Sequence, residues 1–533
     1  MPGGEKDGLD SLLRRTGDNE VVCYPTDKSG RMAIDSPANY IASMQPHIKD
    51  MIITDKAYYD NVEKELNAHM SAWCNVLRGD DRVRSAYQAT HNEMPPLYGL
   101  RKDHKAHVDA DVGPPTRPVC GAVVSSNYRV SHFLSSILRP LIKQAPTVCE
   151  STEDMLSRIQ ECNQETDHEM SIVGSMDVAA LYPSIDIDFS VSVCVQLIAE
   201  SEAEFTSTDV DELGLFLCLT TPGEDLERAG IKKFCPKRIT SRGRPPTLRS
   251  TGTVRDDDKR WPNWLRSPFI PGEGELKRMI SFGIGVTLGF TMKNHIFKFN
   301  GTFYKQPKGG AICVGVAGDV ATLFMVWYDR KLLQSLSECR IDIQLYARYV
   351  DDINIVSKGI PSEEGNTNEP ADKRTMLEIQ RIANTIHSSI QVTVDYPSNH
   401  ASGRMPVLDL EQWIQPVEVN GHVKSQVLHS HYMKPMSSKH VISKASALPM
   451  SSKMNILTAD LIRVMRNVSV HCDNEERRKH VQQYVHRMQY SGYDQSDRVA
   501  VYKKAKRCFD NIVQESENGG TPVYRSKTYQ RAT

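Results

Sequence analysis

The chain has 533 residues, 39% of them hydrophobic and 25% charged, too many for one compact core and enough for two to four lobes. A formal net charge of -1 excludes indiscriminate coating of nucleic acid and leaves any basic surface local. Twelve cysteines stand singly, with no Cys-x-x-Cys and no zinc-finger spacing, no apolar run nears the roughly 20 residues of a membrane span, and Met1–Asp7 has no signal-peptide core, so an intracellular protein with free thiols is expected.

Residues 1–20 are polar and Gly-rich and read as disordered. Val21–Tyr24 reads as a strand running into Pro25–Arg31, a turn that offers Lys28 and Arg31 as cations and is equally explained as a solvated hairpin. From Ser36 to Tyr87 the spacing predicts helix, with Tyr58, Val62 and Leu66 on one face, then Trp73 and Leu77. Lys102 and Lys105 precede a Gly-Pro-Pro loop and Arg117 follows it. An antiparallel pair closed by that loop brings the cations to one surface, fit to neutralise a triphosphate. A merely solubilising Lys-rich loop is the alternative, and it suits Lys105 better than Arg117. Asn127–Lys143 follows as a core helix with Val130, Phe133, Leu134, Ile137 and Leu138 inward.

In Ser171–Ile185 a short apolar run ends at Asp177, after which Pro183 and Ser184 turn the chain, so Asp177 is expected at the C-terminal end of a strand. Arg228–Arg266 holds 12 Lys/Arg against 3 Asp, with Pro, Gly, Trp261 and Trp264 between. Such a stretch could track single-stranded nucleic acid and stack on its bases. It lacks the apolar residues to fold, however, and 223–274 is read as an insertion. Leu276–Phe290 has helical spacing, and Phe297–Tyr304 alternates as a hairpin around Asn300-Gly301. Next, Gln306-Pro-Lys-Gly-Gly-Ala-Ile-Cys-Val-Gly opens a helix through Ala321, Phe324, Met325 and Tyr328. A Gly-rich loop there lets backbone lie against a nucleotide or template base.

Leu345–Ser357, Leu-Tyr-Ala-Arg-Tyr-Val-Asp-Asp-Ile-Asn-Ile-Val-Ser, carries the most chemistry. β-forming residues flank Asp351-Asp352 as in two strands joined by a tight turn. A lone Asp-Asp would be a surface turn; Asp177 in a matching strand-end setting changes that reading. Adjacent anions suit a divalent cation, and hard oxygen ligands suit Mg²⁺. Carboxylates from separate strand ends can hold the metal pair of in-line phosphoryl transfer, about 3.5–4 Å apart. After the polar loop Pro361–Pro370, Lys373–Ser389 reads as a helix with Met376, Ile379, Ile382 and Ile386 inward. Gln391–Val394 and Val407–Ile414 read as strands completing a ferredoxin-like βαββαβ sheet. Leu457–Asn467 reads as a helix carrying Arg463 and Arg466 on one face, and Tyr502–Arg507 is basic; phosphate contacts and solvated surface explain both equally.

The Tyr-Val-Asp-Asp box at Tyr349–Asp352, with Asp177 and Tyr182, resembles the palm of a reverse transcriptase. More narrowly, Pro95–Lys105 (Pro-Pro-Leu-Tyr-Gly-Leu-Arg-Lys-Asp-His-Lys), Thr116–Val119 (Thr-Arg-Pro-Val), Phe297–Gln306, Met405–Asp409 (Met-Pro-Val-Leu-Asp) and His431–Pro435 (His-Tyr-Met-Lys-Pro) resemble Penelope-like retroelement polymerases, a telomerase-related group, in the same order. The resemblance implies an α+β right-hand polymerase: fingers at 21–146, a ferredoxin-like palm at 147–222 and 275–416, and a helical thumb and tail at 417–533. It implies a nuclear RNA-directed DNA polymerase with an RNA template, a DNA primer or DNA 3′ end, dNTPs, and two Mg²⁺ ions, Mn²⁺ being the substitute. Asp177, Asp351 and Asp352 with the Val178 carbonyl would hold the metals. Lys102, Arg117, Tyr182, Gln306 and Gly309 would meet the nucleotide, and Lys28, Arg31, Lys105, Arg463 and Arg466 the nucleic acid. A ring at Tyr182 would collide with a ribose 2′-hydroxyl and so selects deoxynucleotides.

The chain also departs from the family. Cys313 stands where Gly is usual and Val314-Gly315 where Ser-Pro is usual, which bears on processivity and fidelity. No Gly-Ile-Tyr/Tyr-Ile-Gly endonuclease pair precedes Thr533, as expected of a truncated chain or an endonuclease-lacking branch. Two other readings stay open. A non-catalytic RNA-binding scaffold predicts lost carboxylates, and an RNA-dependent RNA polymerase predicts a small residue in place of Tyr182.

Overall fold

The computed structural model describes residues 15–18, 20–27, 31–76, 93–102, 115–121, 125–165, 168–201, 275–310, 315–361, 369–419, 421–435 and 437–517. Lys28, Lys105, Cys313 and the basic stretch 223–274 lie outside the described residues. The chain divides into two units, Met1–Ala145 with Ala180–Trp327, and Pro146–Ala179 with Tyr328–Thr533. Among the described residues no helix is long and apolar enough to cross a membrane.

The first unit opens with the hairpin β1 (Val22–Pro25) and β2 (Met32–Asp35). Helix α1 (Pro37–Ile48) starts where Ser36 accepts the Asn39 N–H at 3.1 Å and a proline fills the first turn. The helical reading from Ser36 to Tyr87 needs correction, because β3 (Ile52–Thr54) interrupts it before α2 (Lys56–Val76). The β-branched run Ile52-Ile53-Thr54 pairs with a distant strand instead of continuing the helix. Strands β4 (Leu97–Arg101) and β5 (Thr116–Cys120) pair antiparallel, and α3 (Ser126–Gln144) follows.

The chain then passes through α4 (Thr152–Glu165) and β6 (Ser171–Val178) of the second unit. On its return it forms the one-turn α5 (Leu181–Ser184), then α6 (Ile187–Glu200), whose cap Asp186 accepts the Phe189 N–H at 2.9 Å. Helix α7 (Glu275–Lys293), the hairpin β7 (Ile296–Phe299) and β8 (Thr302–Lys305), and the start of α8 (Gly315–Glu338) complete the unit. Asn300 and Gly301 have φ of 45° and 81°, the left-handed pair that a two-residue hairpin turn needs. Strand β8 lies between β3 and β7. Met44, Ile48, Cys120, Phe297 and Phe299 form a core here, and the buried Trp73 indole donates to Thr287 at 2.9 Å.

In the second unit β9 (Ile343–Tyr349), β10 (Asp352–Lys358), α9 (Ala371–Ile386) and β11 (Val392–Asp395) follow α8. With β6 they give an antiparallel sheet in the order β11-β6-β10-β9. Met376, Ile379, Ile382 and Ala383 of α9 are buried, and Gly174 of β6 leaves the space that Met376 fills. The expected Val407–Ile414 strand of this sheet needs correction. Leu408, at φ 54°, reverses the chain there, and β12 (Met405–Val407), β13 (Leu410–Val419) and β14 (His422–His431) make a separate sheet. Met155, Leu156, Ile159, Val173, Leu345, Val356, Met405, Leu410 and Val427 join the two sheets and α4 in one core, each such side chain contributing about 1.5–3 kcal/mol by burial. Helices α10 (Met450–Arg466), α11 (Asn474–Tyr490) and α12 (Gln495–Glu517) pack around Leu457, Leu461, Val464, Tyr484, Met488 and Val501.

Candidate active site

Strands β6 and β10 run antiparallel with Asp177 directly opposite Asp352. Residues so paired share a face of the sheet, with Cα atoms about 4.5–5.5 Å apart. Tyr349 pairs with Asp352, so Val350 and Asp351 form the two-residue turn between β9 and β10. The Asp351 carbonyl accepts the Val178 N–H at 3.2 Å, which pins the turn to the end of β6. Three carboxylates from two stretches distant in sequence therefore meet at one end of one sheet. Asp177 is exposed, and Asp351 and Asp352 are half-buried. Val350 has φ 56°, a left-handed conformation rare for a β-branched residue.

It is the backbone register that gathers the carboxylates. Among the described residues no group of three or more His, Cys, Asp or Glu side chains is preassembled to hold a metal. The donor set nonetheless fits a hard divalent cation, being carboxylates with a strand-end carbonyl at Val178. The strand pairing fixes the Cα atoms of Asp177 and Asp352 directly opposite one another.

The first unit holds the residues expected to meet a nucleotide. Leu100 pairs with Arg117, and the Lys102 N–H donates to the Pro115 carbonyl at 2.9 Å, so Lys102 and Arg117 are diagonal neighbours on one face of the hairpin. Arg117 Nε lies 3.0 Å from Asp27 in the β1–β2 turn, where the carboxylate is 6% exposed and the Arg117 side chain 45%. Arg31 closes the same turn through its backbone, its N–H donating to Thr26 Oγ1 at 3.0 Å, with its side chain exposed. The Tyr182 carbonyl accepts the Gly310 N–H at 2.8 Å, and its hydroxyl lies beside Gly318. Gly309 has φ 67°, and a Cβ there would stand 2.6 Å from the Tyr182 and Pro183 carbonyl oxygens, so only glycine fits. Gln306 is buried and its Nε2 donates to the Lys308 carbonyl at 2.7 Å, bracing the loop. Tyr182, Gln306 and Gly309 thus belong to one packed corner of the unit.

No protein-family model matches the chain, and no curated protein matches it in sequence. Solved structures do match. Telomerase from Candida albicans, solved with the TWJ fragment of telomeric RNA, aligns over 96% of this chain and 70% of its own, with TM-score 0.50 at 9% identity. Two apo telomerase structures from Candida tropicalis align at TM-scores 0.38 and 0.36, with 11% and 12% identity, over 93% and 78% of this chain and 70% and 66% of theirs. The fold resembles a telomerase catalytic subunit. The chain is mixed α/β, and at such identity the likeness is one of fold alone.

The expected pair of phosphate-facing arginines needs correction at Arg466. Helix α10 turns Arg466 inward, 4% exposed, to donate to Glu153 at 2.7 Å. Arg463 is bound to Asp409 and, at 2.8 Å, to Asp460. Asp409 also accepts the Thr152 hydroxyl at 2.8 Å and the Asn467 amide at 2.9 Å, tying α4 and α10 to the β12–β13 turn. Burial pushes the His429 and His431 imidazoles beside this hub down to about 4. Sequence reasoning passed over Asp27, Asp329, Arg348 and Asp409. Only Asp27 and Asp409 carried a signal, Asp27 lying in the Pro25–Arg31 turn and Asp409 ending the family-like Met405–Asp409 box.

Proposed function

We propose that the chain is an RNA-directed DNA polymerase, a reverse transcriptase of the Penelope-like type, which extends a primer or DNA 3′ end with dNTPs. The observation that carries this reading is the pairing of Asp177 with Asp352 beside the Asp351 turn, on a fold resembling a telomerase catalytic subunit. The RNA in the Candida albicans telomerase structure supports an RNA template here. On this reading residues 21–146 serve as fingers, 147–222 and 275–416 as palm, and 417–533 as thumb.

Asp177, Asp351, Asp352 and the Val178 carbonyl would hold two Mg²⁺ or Mn²⁺ ions. When bound, such ions supply Lewis acidity to the primer hydroxyl and charge neutralisation to departing pyrophosphate. The chain supplies position. The Val178 N–H fixes the Asp351 backbone, and Lys102 and Arg117 neutralise the triphosphate from one face of their hairpin. Asp27 engages Arg117 through Nε and so holds the guanidinium, a group suited to forked contact with phosphate oxygens. Tyr182, whose carbonyl accepts the Gly310 N–H and whose hydroxyl lies beside Gly318, is assigned the role of the ring that clashes with a ribose 2′-hydroxyl.

Primer extension on an RNA template with Mg²⁺, offering dNTPs or NTPs, tests the reading. Extension with dNTPs that Asp351→Asn abolishes is the expected result. Equal product from that variant would discard the mechanism, and RNA binding without extension would leave a scaffold. Tyr182→Ala is expected to lower the preference for dNTPs over NTPs on the order of 10–100-fold; unchanged discrimination removes its assigned role.

A further inference from the structure

Behind the Val350–Asp351 turn lies an ion pair wholly shut off from water. Arg348 and Asp329 are both 0% exposed, with Nε of Arg348 at 2.9 and 3.1 Å from the two carboxylate oxygens. Each oxygen takes a second donor, the Tyr346 hydroxyl on one and the Thr147 hydroxyl on the other, both at 2.8 Å. The Arg348 backbone is fixed as well, its N–H donating to the Thr147 carbonyl at 2.8 Å and its carbonyl accepting the Cys149 N–H at 2.7 Å. One guanidinium nitrogen is then aimed forward, donating to the Val350 carbonyl at 3.1 Å.

A buried ion pair adds little net stability over apolar side chains of similar volume, so stability alone does not account for it. Direction does. Val350 is held at φ 56°, and a β-branched residue leaves that region unless its surroundings over-determine it. Its carbonyl begins the peptide that leads into Asp351. We infer that Arg348, oriented by Asp329, is a positioning residue that locks the Val350–Asp351 peptide and so aims the Asp351 carboxylate at the metal site. The inference rests on the polymerase reading above.

The test compares wild type, Arg348→Lys and Tyr346→Phe. The lysine keeps the charge but lacks the fork that reaches Asp329 and Val350 together, whereas Tyr346→Phe removes a donor to Asp329 and leaves the Val350 contact alone. Mn²⁺ binding by the protein alone is followed by electron paramagnetic resonance, beside primer extension, KM for dNTP and melting temperature. Arg348→Lys is expected to weaken Mn²⁺ binding and lower kcat by about 10-fold or more, the range for residues that orient metal ligands, with KM for dNTP unchanged. Tyr346→Phe is expected to lower melting temperature while leaving Mn²⁺ binding as in wild type. Wild-type Mn²⁺ affinity and kcat in a folded Arg348→Lys would reduce Arg348 to a packing role and overturn the inference. Should that variant not fold, Arg348→Met with Asp329→Leu replaces the pair by apolar side chains; weakened Mn²⁺ binding then supports the inference and wild-type binding overturns it. A wild-type protein that neither binds Mn²⁺ nor extends primers refutes the polymerase reading itself.

Discussion

At one end of the β11-β6-β10-β9 sheet Asp177 stands opposite Asp352, acid facing acid. Around the second sheet of the same unit four acids meet arginines: Asp409 with Arg463, Glu411 and Glu476 with Arg404, Glu153 with Arg466. Like charges directly opposite cost stability, whereas matched charges tie a sheet to the helices beside it. Arg404 shows how complete the matching is, bonding Glu411 at 2.7 Å and Glu476 at 2.9 Å while stacking over Trp413 at 4.0 Å. A chain able to match its acids in one region and gather them in another has separated two uses of the same chemistry. On the proposed function the gathered acids serve a reaction, whereas the matched acids hold the fold.

Substitutions at the gathered acids should separate those uses most widely. Asp177→Asn or Asp351→Asn is expected to reduce primer extension by more than about 100-fold, beyond the range for groups that only orient metal ligands. Melting temperature should hold or rise, because a like-charge repulsion is relieved; a variant that loses both together would make these residues structural. Acid is expected to strike the matched region next. His429 and His431 are kept uncharged by burial, with pKa about 4 against an ordinary 6.5, so as pH falls the unfolded chain takes up protons first. Stability from this source is complete above about pH 6.5 and lost toward pH 4, about 2 kcal/mol per histidine by pH 5. Urea denaturation at pH 7 and pH 5 measures it, and equal stabilities would mean both rings are charged in the fold.

Within the matched region Arg466→Met should cost about 1–3 kcal/mol of stability through the lost bond to Glu153, with affinity for nucleic acid unchanged. Lost affinity at full stability would return Arg466 to the phosphate-binding set. Asp27 sharpens the comparison as a third use, an acid that holds a base for service. Asp27→Asn is expected to raise KM for dNTP roughly 5-fold, about 1 kcal/mol, with kcat unchanged. An unaltered KM would leave the Arg117 pair a tie between two hairpins.

How far the sequence was legible follows from which forces are local. The Asn300-Gly301 turn and the Asp351-Asp352 hairpin could be read because turn geometry and alternation are written in neighbouring residues. Asp177 could be read as a strand end, but its partner opposite could not, since register is a long-range property. Helical spacing put Arg463 and Arg466 on one face without saying which face was buried, and α10 buries Arg466. The Val407–Ile414 stretch misled because Leu408 adopts φ 54°, a conformation its side chain does not advertise. Asp329 in the middle of α8 and Arg348 within a strand carry no local mark. Their meaning arises only when the fold brings them together without water.

A double-substitution cycle on primer extension tests most directly whether Asp177 and Asp351 act as one centre. Groups that work as a unit lose their function together. The Asp177→Asn, Asp351→Asn double variant is therefore expected to be no slower than the worse single variant; losses that multiply would show two independent contributions and contradict a shared metal site.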